Sequence, residues 1–314
     1  MHPQPLFKIG SLGIYPYGLC MAIGIVACFI FLWFTMRYKK FNEDAIDAIL
    51  VVGIVGTGLG IVSAMLFQSV YNYIATGVFS FGDSMTFIGG LIGGVISFLA
   101  IWWLYVYVIA PRTKIKFLQN NMNAGLCDAL PFIPVAVTIA HAFGRLGCFF
   151  GGCCYGKVTD AWYGLYCAKT YYPSTGTLIT GDKVIPTQLF EMVFLIVLCA
   201  VMCLLYFKFK FNYNFAVYSI TYGVWRFILE FFRGDDRGTL IPGATLYPSQ
   251  IWCIVMVLFG IGYIFLQMYV LKKFMKHPER SAQTAANGTA AQENAEISKE
   301  NVADETNLND NAEN

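Results

Sequence analysis

Seven stretches of this chain, at roughly 13–36, 45–70, 87–110, 124–145, 189–208, 214–232 and 248–271, are each apolar over a length that spans a bilayer hydrocarbon core of about 30 Å. A backbone passing through lipid must satisfy its own polar groups, and for segments of this length the helix does so. The expectation is therefore an all-α polytopic membrane protein with about seven transmembrane helices. Charged residues make up 13% of the chain, against about 25% in a typical soluble domain, so there is too little polar surface to cover a globule. Short basic clusters follow the first, third, fifth and seventh segments: Arg37, Lys39 and Lys40; Arg112, Lys114 and Lys116; Lys208 and Lys210; Lys272, Lys273, Lys276 and Arg280. All four fall on one side, which puts the C-terminus in the cytoplasm and the N-terminus outside.

The chain divides by composition. Residues 1–278 form the seven-span body, and within it 149–188 are too polar to face lipid and read as an extracytoplasmic loop or cap. Residues 279–314 read as a disordered acidic cytoplasmic tail, with seven Asp or Glu against Lys299 alone between Ser281 and Asn314. The net charge of +2 for the whole chain thus becomes about +8 for the body, which suits anionic lipid headgroups. Nothing points to nucleic acid. The N-terminus lacks a basic region, a short apolar run and a small-residue cleavage site, so the first segment is expected to remain as an anchor.

Ionisable residues inside spans are costly and mark functional sites unless a partner neutralises them. In segment six, Tyr222, Arg226, Glu230 and Arg233 recur at spacings of four, four and three, which puts them on one helical face. The pairing of Arg226 with Glu230 is open to a purely structural reading, whereas Arg233 adds a cation suited to an anion such as a lipid phosphate. In segment four, His141, Arg145 and Cys148 share helical spacing ahead of a glycine-rich turn, Gly147 to Gly156. His141 is the one histidine at membrane depth and the candidate base. Glycine in that turn permits close backbone approach to a ligand, and Gly89, Gly90, Gly93 and Gly94 permit close helix packing. Cys148 with vicinal Cys153 and Cys154 does not match common zinc spacings, so no metal and no cofactor are expected. A disulfide involving these thiols or Cys167, or redox chemistry among them, stays open.

Together these residues resemble those of the bacterial prolipoprotein diacylglyceryl transferases. The resemblance runs over nearly the whole body: Tyr17, Gly18 and Leu19; Gly89 to Gly93; Asp128 with Pro131 and Pro134; Gly144 to Gly147, leading to Gly156; Pro186 to Glu191; Tyr222 to Arg233; and Ser249 with Gln250. It implies transfer of the diacylglyceryl group of phosphatidylglycerol to the lipobox cysteine of prolipoproteins, forming a thioether. It also implies a multi-pass protein of the bacterial cytoplasmic (inner) membrane whose partners are phosphatidylglycerol, prolipoprotein signal peptides and the bilayer.

On that reading Arg145, Arg226 and Arg233 hold the phosphate, Glu230 orients Arg226, and Tyr222 donates a hydrogen bond. Tyr17, Gly89, Gly90 and Gly156 join the arginines in substrate binding. The chain departs from the family at three positions: Ile88 stands for a histidine, Cys148 for an asparagine and Cys153 for a glutamate. His141 is the expected substitute base. Two alternatives stand beside the transferase: a phosphatidylglycerol-binding relative without transfer activity, and a membrane thiol oxidoreductase using Cys148, Cys153 and Cys154.

Overall fold

The computed structural model describes residues 4–10, 12–41, 43–81, 85–109, 112, 126–172, 177–234 and 247–271. The chain divides into two units, Met1–Leu266 and Gln267–Asn314. Of the second, only a π-helical turn, Gln267–Leu271, is described, so the acidic tail and the last basic cluster lie outside the described residues.

The first unit is mostly helical. A small hairpin, β1 (Phe7–Ile9) and β2 (Leu12–Ile14), leads into α1 (Pro16–Tyr38), followed by α2 (Glu43–Thr76) and α3 (Phe87–Leu104), which continues as a π-helical turn, Tyr105–Ile109. A short turn of helix, α4 (Leu126–Ala129), precedes α5 (Ile133–Gly151). A second hairpin, β3 (Leu165–Tyr172) and β4 (Thr177–Val184), precedes α6 (Thr187–Phe207), α7 (Asn214–Glu230) and α8 (Pro248–Leu266). Among the described residues, five helical spans, beginning at Pro16, Ala45, Ile133, Thr187 and Ser249, are long and apolar enough to cross a membrane. The expectation of an all-helical body therefore gains two antiparallel hairpins. The second falls within the polar stretch 149–188, where Leu165 pairs with Val184.

The fourth segment needs correction. The helix begins at Ile133, not 124, and reaches Gly151, not 145. Pro131 has no N–H for the helical ladder, while Pro134 sits in the first turn, where none is required. Gly152 ends the helix in the left-handed conformation, φ 69°. Gly147 and Cys148 are consequently helical, and the turn proper starts at Gly152.

Small residues set the helix packing. Gly24 of α1 lies against Ala140 and Phe143 of α5, and a Cβ there would stand 2.6 Å from the Phe143 Cβ. Gly89 and Gly93 of α3 meet Phe67 and Ser63 of α2 in the same way, and Ser63 Oγ donates to Gly89 O at 2.9 Å. The stripe read as permitting close approach is thus occupied by α2. Ile88 falls in the first turn of α3. One apolar cluster joins Leu32, Met36, Ile46, Phe132 and Tyr206; a second, of Val135, Ala142, Leu195, Leu198 and Met202, packs against Tyr222. Large apolar side chains such as Phe34, Val51, Val197 and Leu258 face outward, as helices solvated by hydrocarbon require.

Candidate active site

Three helices bring the charged residues together. Arg145 of α5 reaches α6, where its Nε lies 3.1 Å from Glu191 Oε1, and α7, where its Nη2 donates to Tyr222 Oη at 3.3 Å. Tyr222 Oη in turn donates to Glu191 Oε1 at 2.7 Å. Glu191 is 1% exposed. A carboxylate this deeply buried persists only when paired and hydrogen-bonded, and here it has both kinds of partner. Glu191 is the residue that sequence reasoning missed: it was read only as part of Pro186 to Glu191. Its signal was an acid one turn into an apolar helix.

Tyr222, Arg226 and Glu230 lie along α7 as their spacing predicts, whereas Arg233 stands beyond the helix end at Glu230. Arg226 Nη1 lies 2.6 Å from Glu230 Oε2, and Arg233 Nε lies 4.0 Å from the same oxygen. All three side chains are buried. The first approach is a charge contact and not an aligned hydrogen bond, since neither atom meets hydrogen-bond geometry.

His141 also joins this group. Its Nδ1 lies 3.0 Å from Tyr218 Oη, and its ring stands edge-on to that of Tyr222 at 4.7 Å between centroids. Tyr218 and Tyr222 stack at 5.7 Å with their planes 3° apart. Tyr17 packs through its ring and carbonyl against Gly147 and Gly151. A cavity of about 490 Å³ opens there, lined by Tyr15, Tyr17, Gly18, Leu19 and Gly151 among others.

The segment after α5 is tied down at many points. Gly156 N donates to Ile185 O at 2.8 Å, Lys157 N to Phe232 O at 2.9 Å, and Ile185 N to Lys157 O at 3.0 Å. Gly156 also bridges Arg233 in antiparallel fashion. This crossing brings the Arg233 backbone alongside the turn that holds Cys153 and Cys154. A Cβ at Gly156 would sit 2.7 Å from Ile185 Cβ and 2.8 Å from Phe232 O. Gly156→Ala should therefore lower stability by about 3 kcal/mol through overpacking, which thermal unfolding in detergent would register. A variant as stable as the parent would show that the crossing is loose.

The chain matches a family model, prolipoprotein diacylglyceryl transferase, over residues 4–266. It is 32% identical over 262 residues to the phosphatidylglycerol–prolipoprotein diacylglyceryl transferase of Clostridium tetani, which covers 82% of this chain and 94% of that protein. A protein of the same name from Dehalococcoides mccartyi is 30% identical over 237 residues, 73% of this chain and 82% of the relative. A Clostridium perfringens protein, named as the second such transferase, is 25% identical over 262 residues, 82% and 92% of the two chains. With the match extending over the helices that carry Arg145, Glu191 and Arg226, this chain belongs to the prolipoprotein diacylglyceryl transferase family.

Proposed function

We propose that this chain moves the diacylglyceryl group of phosphatidylglycerol onto the lipobox cysteine of prolipoproteins, forming a thioether within the bacterial cytoplasmic membrane. The observation that carries this is Arg145, a guanidinium in an apolar helix, fixed by Glu191 and Tyr222 with its side chain still 18% exposed. A guanidinium has five N–H donors in a rigid fork, and these two partners engage only its Nε and Nη2. Donors remain for a phosphate.

The reaction has two needs. The thiol must become a thiolate, the nucleophilic form, and the departing phosphate must be stabilised as its charge develops. Arg145 and Arg226, with Arg233, meet the second need; Glu191 and Glu230 hold their guanidiniums in place before substrate arrives. Tyr222 links Arg145 to Glu191. His141, beside Tyr218 and Tyr222, is the base, and Tyr17 with Gly89, Gly90 and Gly156 completes the binding region. In this reading α3 and α7 also cross, making seven spans. The N-terminus is extracytoplasmic, the C-terminus and acidic tail are cytoplasmic, and 149–188 form the cap.

Restoration of lipid modification of a reporter prolipoprotein, in cells depleted of their own transferase, tests the function. Failure to restore it would leave a phosphatidylglycerol-binding relative or a thiol oxidoreductase. His141→Ala should lower transfer by about 10²–10⁴-fold, the contribution of a positioned base, with the protein still folded and inserted. Transfer at the parent's rate would remove His141 from the mechanism.

A further inference from the structure

The transfer scheme above leaves one cluster of ligand-bearing side chains unused. The sulfurs of Cys148, Cys153 and Cys154 all lie within 4.8 Å of one another, and none of the three is held in a disulfide. Three thiolates at about 2.3 Å from one Zn²⁺ in tetrahedral directions have sulfurs about 3.8 Å apart, so small side-chain rotations would close the set. The α5 helix makes this possible: it places Cys148 in its last turn and ends at Gly152, folding the next two cysteines back over it. Spacing alone does not reveal that return.

The turn is built and held. Cys153 N donates to Cys148 O at 3.2 Å. Gln188 Nε2 donates to Cys153 O at 2.6 Å, and Thr187 Oγ1 to Cys154 O at 2.8 Å. Cys154 itself is fixed at φ 64°, a left-handed conformation that costs free energy for a residue with a side chain and persists only where its surroundings impose it. Cys153 is exposed while the other two are half-buried, which leaves one side of the cluster open.

We propose that Cys148, Cys153 and Cys154 bind one Zn²⁺ as thiolates, and that its open fourth position takes the substrate cysteine thiol that is to be alkylated. The second half rests on the transfer function proposed above. Three protein ligands with an open position are the arrangement in which zinc remains reactive, and a thiol that coordinates it is deprotonated outright. The thiol proton passes to His141, the base assigned above. The sulfur then forms its bond to the glyceryl carbon, the bond from that carbon to the phosphate-bearing oxygen breaks, and the electron pair leaves with glycerol phosphate. Zinc does not change oxidation state.

The test uses the full chain in detergent, reduced and freed of metal, with Cd²⁺ and Zn²⁺ as probes. One Cd²⁺ per chain should bind with an ultraviolet sulfur-to-cadmium charge-transfer band, retained in a Cys199→Ser, Cys203→Ser control. Cys153→Ser, altering an exposed side chain, should weaken Cd²⁺ binding at least tenfold. X-ray absorption of the Zn²⁺ form should count three sulfurs, rising to four when a lipobox peptide is added and staying at three with its cysteine replaced by serine. Transfer should fall about a hundredfold or more without zinc and return on adding it. Absence of stoichiometric binding, or a Cys153→Ser variant that binds like the parent, overturns the site. A count that stays at three with the cysteine peptide overturns thiol capture. A four-sulfur zinc site with no transfer would instead overturn the transfer function and leave the metal site standing.

Discussion

Arg226→Lys should lower diacylglyceryl transfer to a reporter prolipoprotein by about a hundredfold or more, although the positive charge is kept. Lysine is a compact point charge and cannot reproduce the planar fork that grips a phosphate through two parallel hydrogen bonds. Removing one preorganised donor from a site of developing charge costs about 10²–10³ in rate. Arg226→Ala should go further, because Glu230, 4% exposed, then loses the guanidinium 2.6 Å away. Breaking one side of a buried ion pair costs about 3–5 kcal/mol, so this variant should also unfold at lower temperature. The lysine variant separates the two effects, since it keeps a cation for Glu230. Mass analysis of the reporter gives the rate, and thermal unfolding in detergent gives the stability. Arg226→Lys acting at the parent's rate would exclude a forked contact with the phosphate.

Glu191→Gln should be nearly as damaging, and Tyr222→Phe much milder. Glu191 connects α6 to both Arg145 and Tyr222, at 3.1 and 2.7 Å. The amide keeps an acceptor oxygen but no charge, so Arg145 loses its counter-ion in a buried setting, at about 3–5 kcal/mol. A guanidinium released from its anchor no longer waits in the orientation that the leaving phosphate requires, and transfer should drop about a hundredfold. Tyr222→Phe removes one hydroxyl whose loss costs about 1–3 kcal/mol, and the Arg145 to Glu191 pair survives it. The ranking is the test: if Tyr222→Phe transfers more slowly than Glu191→Gln, the hydroxyl and not the carboxylate organises the site.

The parts of this protein legible from sequence are those set by local rules. Apolar length places the helices, and a spacing of four and four places Tyr222, Arg226 and Glu230 on one face of α7, whereas Arg233 lies beyond the end of that helix. Other features depend on contacts distant in the chain. Glu191 reads as one polar residue in an apolar run until α5 and α7 bring Arg145 and Tyr222 to it. The start of α5 was misplaced because hydropathy cannot see that Pro131 interrupts the backbone ladder between Ala129 and Ile133. Gly156 was read from sequence as a contact for ligand; that it also lies where three backbone segments cross is a circumstance no local pattern encodes. The meeting of Cys148, Cys153 and Cys154 escaped for a related reason, since it depends on where one helix stops.

The length of α2 has its own consequence. Thirty-four residues at about 1.5 Å each make a rod about 51 Å long, against about 30 Å of hydrocarbon. Fitting wholly inside would demand a slope far steeper than the roughly 20° usual for membrane helices. Its last turns are suited to water instead: Gln68 Nε2 donates to Asn72 Oδ1 at 2.9 Å, and Thr76 Oγ1 to Asn72 O at 2.8 Å. Because α3 packs against Ser63 and Phe67, those turns overhang its start. The helix thereby carries its Gln68, Asn72 and Thr76 end past the hydrocarbon and into reach of water.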